Sequence, residues 1–425
     1  MAEKSKTRSW VPVPEPDLTP AQMVRRAVEM RQMLREGQAS CEANKRISDE
    51  TNEAFVKAGF YRVLQPRRFG GYEFDLPTFA RVMAEVSRGC PSCGWVVTFT
   101  AGHTHVLAKW SEEAQAEAYG ADGEFRSPLS GGQGSATPVE GGYILNGAWN
   151  YASGCDIATH FIASARLSSP DPDAPPGDMY QFLIRRDQFE IVDNWDMLGM
   201  LGSGSKCIVV KDLFVPARLA RKRLGDPFSL NPADAADEHA QPGFGLFDNP
   251  MYAGPSSNVL MCEIAAVAVG TAWGALDAYE EILFRRTMRT DPGQSRADNH
   301  EFQRYFGQAF ALIRTAEEAL TGCTERYMEY CRQDMDEGIR FTAERIQEIT
   351  LVEQQVTRLC GEAVELLART GGSTDARPGA MLQRYFRDMA TLRTHNTLQY
   401  DRLQEVFGRM YLTRRKQELQ AGEGA

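Results

Sequence analysis

Gly142-Tyr143-Ile144-Leu145-Asn146-Gly147-Ala148-Trp149-Asn150-Tyr151-Ala152-Ser153-Gly154-Cys155-Asp156 lies where the chain changes its period. Tyr143-Ile144-Leu145 is a short aromatic and β-branched run of the kind that forms a strand. Asn146-Gly147 tolerates positive φ at both positions and predicts a tight hairpin turn. An indole, small hydroxyl and amide side chains and a glycine then follow in quick succession. Such a segment can lay backbone N–H groups and a hydroxyl along the edge of a planar heterocycle, with the aromatic packed against it. A hairpin that holds a Trp and a Ser for structural reasons alone fits the same residues.

On either side of this stretch the apolar spacing is helical. Thr19-Pro20 reads as an N-cap with Pro at the first helical position. Met23, Ala27, Met30 and Leu34 follow on one face. Further helices are expected at about 48–58, 76–86 and 94–109, so residues 19–125 read as an N-terminal helical domain. Residues 1–18, with Pro12, Pro14 and Pro16, read as an extended arm.

Short strand-like runs at 142–146, 160–167, 179–185, 189–192 and 206–215 predict a central antiparallel β-domain over 126–225. Residues 226–255, rich in Pro and Gly, read as a long loop whose Phe228, Phe244, Phe247 and Tyr252 are placed to cap an aromatic ligand or to tether the loop. Helical periods at 256–290, 297–333, 340–370 and 378–418 predict a C-terminal four-helix bundle over 256–420. The fold class is α+β.

Composition narrows the chemistry. Lys plus Arg is 47 against 57 for Asp plus Glu, a net charge of −10. That excess of acid argues against nucleic acid or an anionic membrane as partner. The opening residues lack an apolar h-region, and no stretch approaches the roughly 18 to 20 apolar residues of a membrane span. Nine scattered cysteines fit free thiols in a reducing cytoplasm. Cys90-Pro91-Ser92-Cys93 has redox or metal-ligand spacing, but without a second Cys pair it reads as two small buried thiols at a helix start, and no metal is expected. A dinucleotide-binding glycine fingerprint, a Gly-x-Ser-x-Gly elbow and a repeated Glu-x-x-His pair are all missing. Among six histidines, His395 follows Arg387-Asp388 in what reads as the last long helix. It is a base near neutral pH or a solvated helix residue.

The ordered motifs resemble the acyl-CoA dehydrogenase superfamily from about residue 20 to residue 418. They are Ala58-Gly59-Phe60, Pro66-x-x-Phe69-Gly70-Gly71, Trp149-x-x-x-Ser153-Gly154, Trp195-Asp196-Met197-Leu198-Gly199-Met200-Leu201-Gly202-Ser203-Gly204-Ser205, Val210 to Pro216, Gly371-Gly372, and Leu382-Gln383-Arg384 running to Arg387-Asp388. Where the dehydrogenases carry a catalytic glutamate, about eight residues past the Arg-Asp pair, this chain has Thr394-His395-Asn396-Thr397. That departure resembles the flavin-dependent monooxygenases of the same fold, such as the oxygenase components of phenol hydroxylases and dibenzothiophene monooxygenase.

The resemblance implies an oxygenase component that takes reduced FAD or FMN from a separate flavin reductase and uses O₂ to hydroxylate a small phenolic or polyketide-like aromatic through a C4a-(hydro)peroxyflavin. It further implies a cytoplasmic homotetramer. His395 is the implied catalytic base, with His103 and Ser127 as partners; His105 competes with His103 for the inward position. Trp149, Ser153 and Ser130 are implied at the flavin ring, and Arg285, Gly371 and Gly372 at its tail. The alternatives are a desaturase with another base, or N- or S-oxygenation of a different substrate.

Overall fold

The computed structural model describes residues 11–168, 177–225, 237–398 and 400–422. Phe228 of the long loop lies outside them. Five helices open the chain: α1 Pro20–Asn44, α2 Asp49–Ala58, α3 Leu76–Gly89, α4 Pro91–Leu107 and α5 Glu112–Tyr119. Local chemistry sets their ends. Thr19 and Gln22 form a reciprocal capping box on α1. Gly59, at φ 81°, closes α2 in the left-handed region, where Tyr72 also packs too close to leave room for a Cβ. Part of the expected arm is docked: Val11 is buried and bridges to Phe69. Nearly every residue of α4 is buried, so its sequence shows little amphipathicity.

Among the described residues seven strands form one sheet: β1 Leu129–Val139, β2 Gly142–Ala152, β3 His160–Leu167, β4 Met179–Arg185, β5 Glu190–Val192, β6 Lys206–Pro216 and β7 Ala220–Lys222. Their order is β5-β6-β2-β1-β3-β4-β7. Every pair is antiparallel except β1 with β3, so the sheet is mixed. The parallel pair arises because the chain leaves β2 through a 3₁₀ turn at Cys155–Ile157 and lays β3 along the far edge of β1.

The expected turn at Asn146-Gly147 is corrected by the sheet. The β1–β2 hairpin closes two residues wide at Glu140-Gly141, with Gly141 at φ 76°. Asn146-Gly147 lies mid-strand, where the β2–β6 register slips between Leu145 and Gly147. Asp212 of β6 takes a positive φ there, and its N–H donates to the Asn146 side chain. The glycine is needed for a different reason: a Cβ on Gly147 would sit 2.7 Å from the Trp149 ring, and one on Gly134 would sit 2.3 Å from it. The indole is wedged across the two strands.

The C-terminal part holds α6 Ser256–Arg285, α7 His300–Glu337, α8 Ala343–Gly371, α9 Met381–Leu392 and α10 Tyr400–Gly422. Two expectations change here. By length and composition α6 does meet the test for a membrane span, yet 94% of its apolar window is buried inside the protein. Its Ala, Gly and Val residues let α3 and α8 approach closely; a Cβ on Gly270 would stand 2.1 Å from the Ala84 carbonyl. The expected 378–418 helix is broken between α9 and α10. Thr394 turns its hydroxyl back to the Thr391 carbonyl and Thr397 bonds His395, so side chains replace the helical ladder. One apolar core joins α1, α3 and α4 to the C-terminal helices, while the sheet encloses its own smaller core around Trp149 and Phe161.

Candidate active site

Three parts of the fold converge on a cavity of about 430 Å³. One face of α4 supplies Trp95, Phe99 and His103, spaced four residues apart. The sheet contributes Ser130 and Gly131 from β1, and Asn150, Tyr151 and Ser153 from the end of β2. The segment Trp195–Ser205 and the α9–α10 turn close the remaining side.

That segment is held by the Arg387-Asp388 pair. Asp388 Oδ1 accepts the Met200 N–H at 2.5 Å, and Arg387 donates to the Leu198 carbonyl at 2.8 Å. Gly199 passes so close to α9 that a Cβ would meet the Arg387 carbonyl at 2.2 Å. Burial pushes the Asp388 carboxyl up to about 7, against the pull of the Met200 hydrogen bond.

Hydroxyls line the wall as a ladder. Trp95 Nε1–H donates to Ser153 Oγ at 2.9 Å. Ser153 Oγ lies 2.7 Å from Ser205 Oγ, which lies 2.7 Å from Ser203 Oγ. Thr391, also in the lining, has a buried hydroxyl with no partner among the described residues. A wall of hydroxyls around a cavity of this size fits the polar edge of a heterocyclic cofactor.

His395 lies in the turn after α9, half-buried, with Nδ1 2.8 Å from Thr397 Oγ1 and its ring edge-on to Trp95 at 5.9 Å. Burial alone pulls its imidazole down from 6.5 to about 4, so it is neutral at pH 7. His103 reaches the same cavity; its Nδ1–H donates to the Ser127 carbonyl at 2.6 Å, and burial lowers it to about 4 against that bond. His105 turns the opposite way, toward Ser256, the Met251 carbonyl and Tyr327.

The other expected site residues divide. Ser153 and Ser130 line the cavity. Ser127 does not: its hydroxyl bonds to the Pro128 carbonyl, and it meets the site only through its own carbonyl. Trp149 also lies outside the lining. It is wholly buried in the sheet core, and its Nε1–H donates to the Ser164 carbonyl at 2.9 Å. A break in alternation decides this: Trp149 and Ser153, four apart, would share one face of a regular strand, but the register slip between Trp149 and Ala152 separates them and Trp149 faces inward.

Arg285 pairs with Asp375 at 3.4 Å, and Arg296 donates to the Gly371 carbonyl, beside Gly372 at φ 100°. Arg285, Gly371 and Gly372 gather at one end of the bundle, and none of them lines the cavity. In the long loop Phe247 packs on Phe69 and Tyr252, and Phe244 stacks on His239, so the described aromatics tether the loop rather than cap the cavity. Cys41 from α1 joins the Cys90 and Cys93 thiols, with all three Sγ atoms within 4.8 Å of one another.

Sequence reasoning passed over Trp95, Phe99, Ser203, Ser205 and Thr391 as site residues. The four-residue spacing Trp95-Phe99-His103 is a readable signal. Thr391 left none.

Residues 19–122 match the family model described as acyl-CoA dehydrogenase, N-terminal domain, and residues 262–400 the C-terminal domain of the same family. A pigment production hydroxylase of Rhodococcus sp. (strain ATCC 21145) is 30% identical over 404 residues, covering 93% of this chain and 97% of the relative. The flavin-dependent monooxygenase oxygenase subunit HsaA of Rhodococcus jostii (strain RHA1) is 29% identical over 382 residues, 88% of this chain and 94% of its own. The crystal structure of 3-HSA hydroxylase from Rhodococcus sp. RHA1 superimposes with a TM-score of 0.81 at 28% identity, over 92% of this chain and 97% of that one.

Proposed function

The chain belongs to the flavin-dependent monooxygenases that share the acyl-CoA dehydrogenase fold, and from that membership we propose that it is the oxygenase component of a two-component hydroxylase acting on a phenolic or polyketide-like aromatic. The observation that carries the reading is one cavity in which the neutral His395, His103 and the Ser153 hydroxyl ladder face a common space.

Reduced FAD or FMN, delivered by a separate reductase, supplies the electrons that activate O₂ and place one of its oxygen atoms on the substrate. The chain's own residues hold and shield. Ser153 is oriented from both sides, by the Trp95 N–H and by Ser205, so its hydroxyl is preset toward the cofactor edge. Trp95, Phe99 and Trp195 exclude water from the reacting face.

His395 acts as general base toward the substrate hydroxyl. Because burial keeps its ring uncharged at neutral pH, it is ready to accept a proton, and Thr397 fixes its plane. Arg285, Gly371 and Gly372 remain our proposal for the flavin tail, reached from a neighbouring subunit of a homotetramer. A cytoplasmic setting fits the nine free thiols.

The test is product mass after the chain, a flavin reductase, NADH and ¹⁸O₂ meet a panel of phenols. One ¹⁸O atom per product is expected. Reduction of the flavin by an acyl thioester without O₂, with no labelled phenol product, overturns the reading.

A further inference from the structure

Cys90-Pro91-Ser92-Cys93 has no second cysteine pair in the sequence, but the fold brings it a third thiol. Cys41 of α1 places its Sγ 3.8 Å from Cys93 Sγ, and no two of the three Sγ atoms are more than 4.8 Å apart. All three side chains are buried. The sequence pair opens α4: Cys90 is the N-cap, and its Sγ accepts the Cys93 N–H at 3.3 Å. The positive end of a helix and an N–H···S bond both favour a thiolate over a thiol.

The spacing is that of ligands around one ion. Zinc–sulfur bonds of about 2.3 Å directed to the corners of a tetrahedron set their sulfurs about 3.8 Å apart. Cys41 and Cys93 already stand at that edge length. On the Cys90 side lies a void of about 10 Å³, lined also by Gln38, Glu42, Arg384 and Asp388. Its size suits one water, and its polar lining offers that water partners. Arg384, which donates to Glu42 at 3.0 Å, brings a cation to the same void.

We propose that Cys41, Cys90 and Cys93 hold one zinc ion, with a water of the adjoining void as the fourth ligand. Thiolate donors select a soft, four-coordinate ion over magnesium or calcium, which take oxygen ligands. On binding, three S–H bonds break, three Zn–S bonds form and three protons leave to solvent; two positive charges against three thiolates leave a net charge of −1, which faces Arg384. The ion ties α1 to the start of α4 beneath the segment that carries Ser203 and Ser205. Cys41 Sγ lies 3.6 Å from the Gly202 carbonyl, and a Cβ on Gly202 would meet that sulfur at 2.2 Å.

The experiment uses the untagged full chain, incubated with excess zinc under reducing conditions, gel-filtered and analysed for metal by mass spectrometry. One zinc per chain is expected. Cys41→Ser, Cys90→Ser and Cys93→Ser are each expected to bring the ratio below about a tenth of that, since each removes a ligand. Cys323→Ser, on α7, where the thiol donates to the Ile349 carbonyl, is expected to keep it. Wild-type Tm is expected to fall by about 3 °C or more when EDTA removes the zinc and to return when zinc is restored. Two readouts need no variant. Cobalt(II) in place of zinc is expected to show the thiolate charge-transfer band and the visible bands of a tetrahedral site. Titration of the thiols with a mercurial is expected to release zinc in step to a metal indicator.

A wild-type chain that retains no zinc overturns the proposal, as does a cobalt spectrum without the thiolate band. A zinc ratio unchanged in all three serine variants also overturns it, and so does a Cys41–Cys93 disulfide in a zinc-free chain. None of these readouts involves flavin or substrate, so they stand or fall apart from the hydroxylase reading.

Discussion

Replacing Trp149 with Phe tests whether the residue that looked most like a flavin contact is instead part of the sheet. The indole has no exposed surface, fills the slot opened by Gly134 and Gly147, and bonds the Ser164 carbonyl. Phe removes the outer part of the six-membered ring, about 40 Å² of buried apolar surface, which costs about 1 kcal/mol. The void left, on the order of 30 Å³, adds about 0.7 kcal/mol at the usual cost per volume. The lost N–H···O bond adds about 1 kcal/mol.

The total is about 2–3 kcal/mol, and for a chain of this length that lowers Tm by about 3 °C. Flavin affinity and hydroxylation rate should stay within about twofold, because no atom of Trp149 lines the cavity. Thermal melting and anaerobic titration with reduced flavin measure the two effects separately. Gly147→Ala, which drives a Cβ into the same ring, should cost about 1–3 kcal/mol alone and less in the presence of Trp149→Phe, since the smaller ring vacates the space. A Trp149→Phe chain with unchanged Tm and flavin affinity weakened more than about tenfold would refute this assignment.

Three further outcomes follow from the site. His395→Ala should reduce kcat by about 10²- to 10⁴-fold while leaving flavin affinity within about twofold, which stopped-flow turnover and a binding titration would show. The His395 imidazole is depressed from 6.5 to about 4 by burial, so the folded state resists its protonation: the stability this gives is full above pH 6.5 and is lost as pH falls toward 4. His395→Asn should therefore lose about 2 kcal/mol less than the wild type between about pH 7.5 and 5 in urea unfolding, and equal losses would count against the burial argument. Ser153→Ala cuts the ladder between Trp95 and Ser205 and leaves a buried indole N–H unpaired; we expect about 1–2 kcal/mol of lost stability and a larger share of reducing equivalents diverted to hydrogen peroxide, read by a peroxidase-coupled assay.

How much could be read in advance depended on how local each cause was. Capping at Thr19, the period change after Phe125 and the Arg387-Asp388 pair are decided within a few residues, and the structure reproduces the helix, sheet and helix order that they imply. The separation of Trp149, which faces inward, from Ser153, which reaches the cavity, depends on a register slip between β2 and β6, where Trp149 pairs with Ile208 and Ala152 with Lys206, more than fifty residues away. The same holds for His103 and His105. They are two residues apart on one helix, about 200° around its axis by the usual pitch, and only the packing of α6 and α7 shows which of them faces the cavity.

From sequence alone, the strand and helix periods and the ordered motifs determined the fold class, and the histidine standing where a glutamate was expected determined the branch of the family. The tertiary structure alone decided which side chains share a space. It broke the last helix at His395, sent Trp149 into the core, and set Glu263 of α6 behind His103 of α4. The physical reason is the range of the interactions. Propensity and periodicity act over a few residues, whereas burial and the pairing of polar groups are settled by segments that the fold brings together from distant parts of the chain.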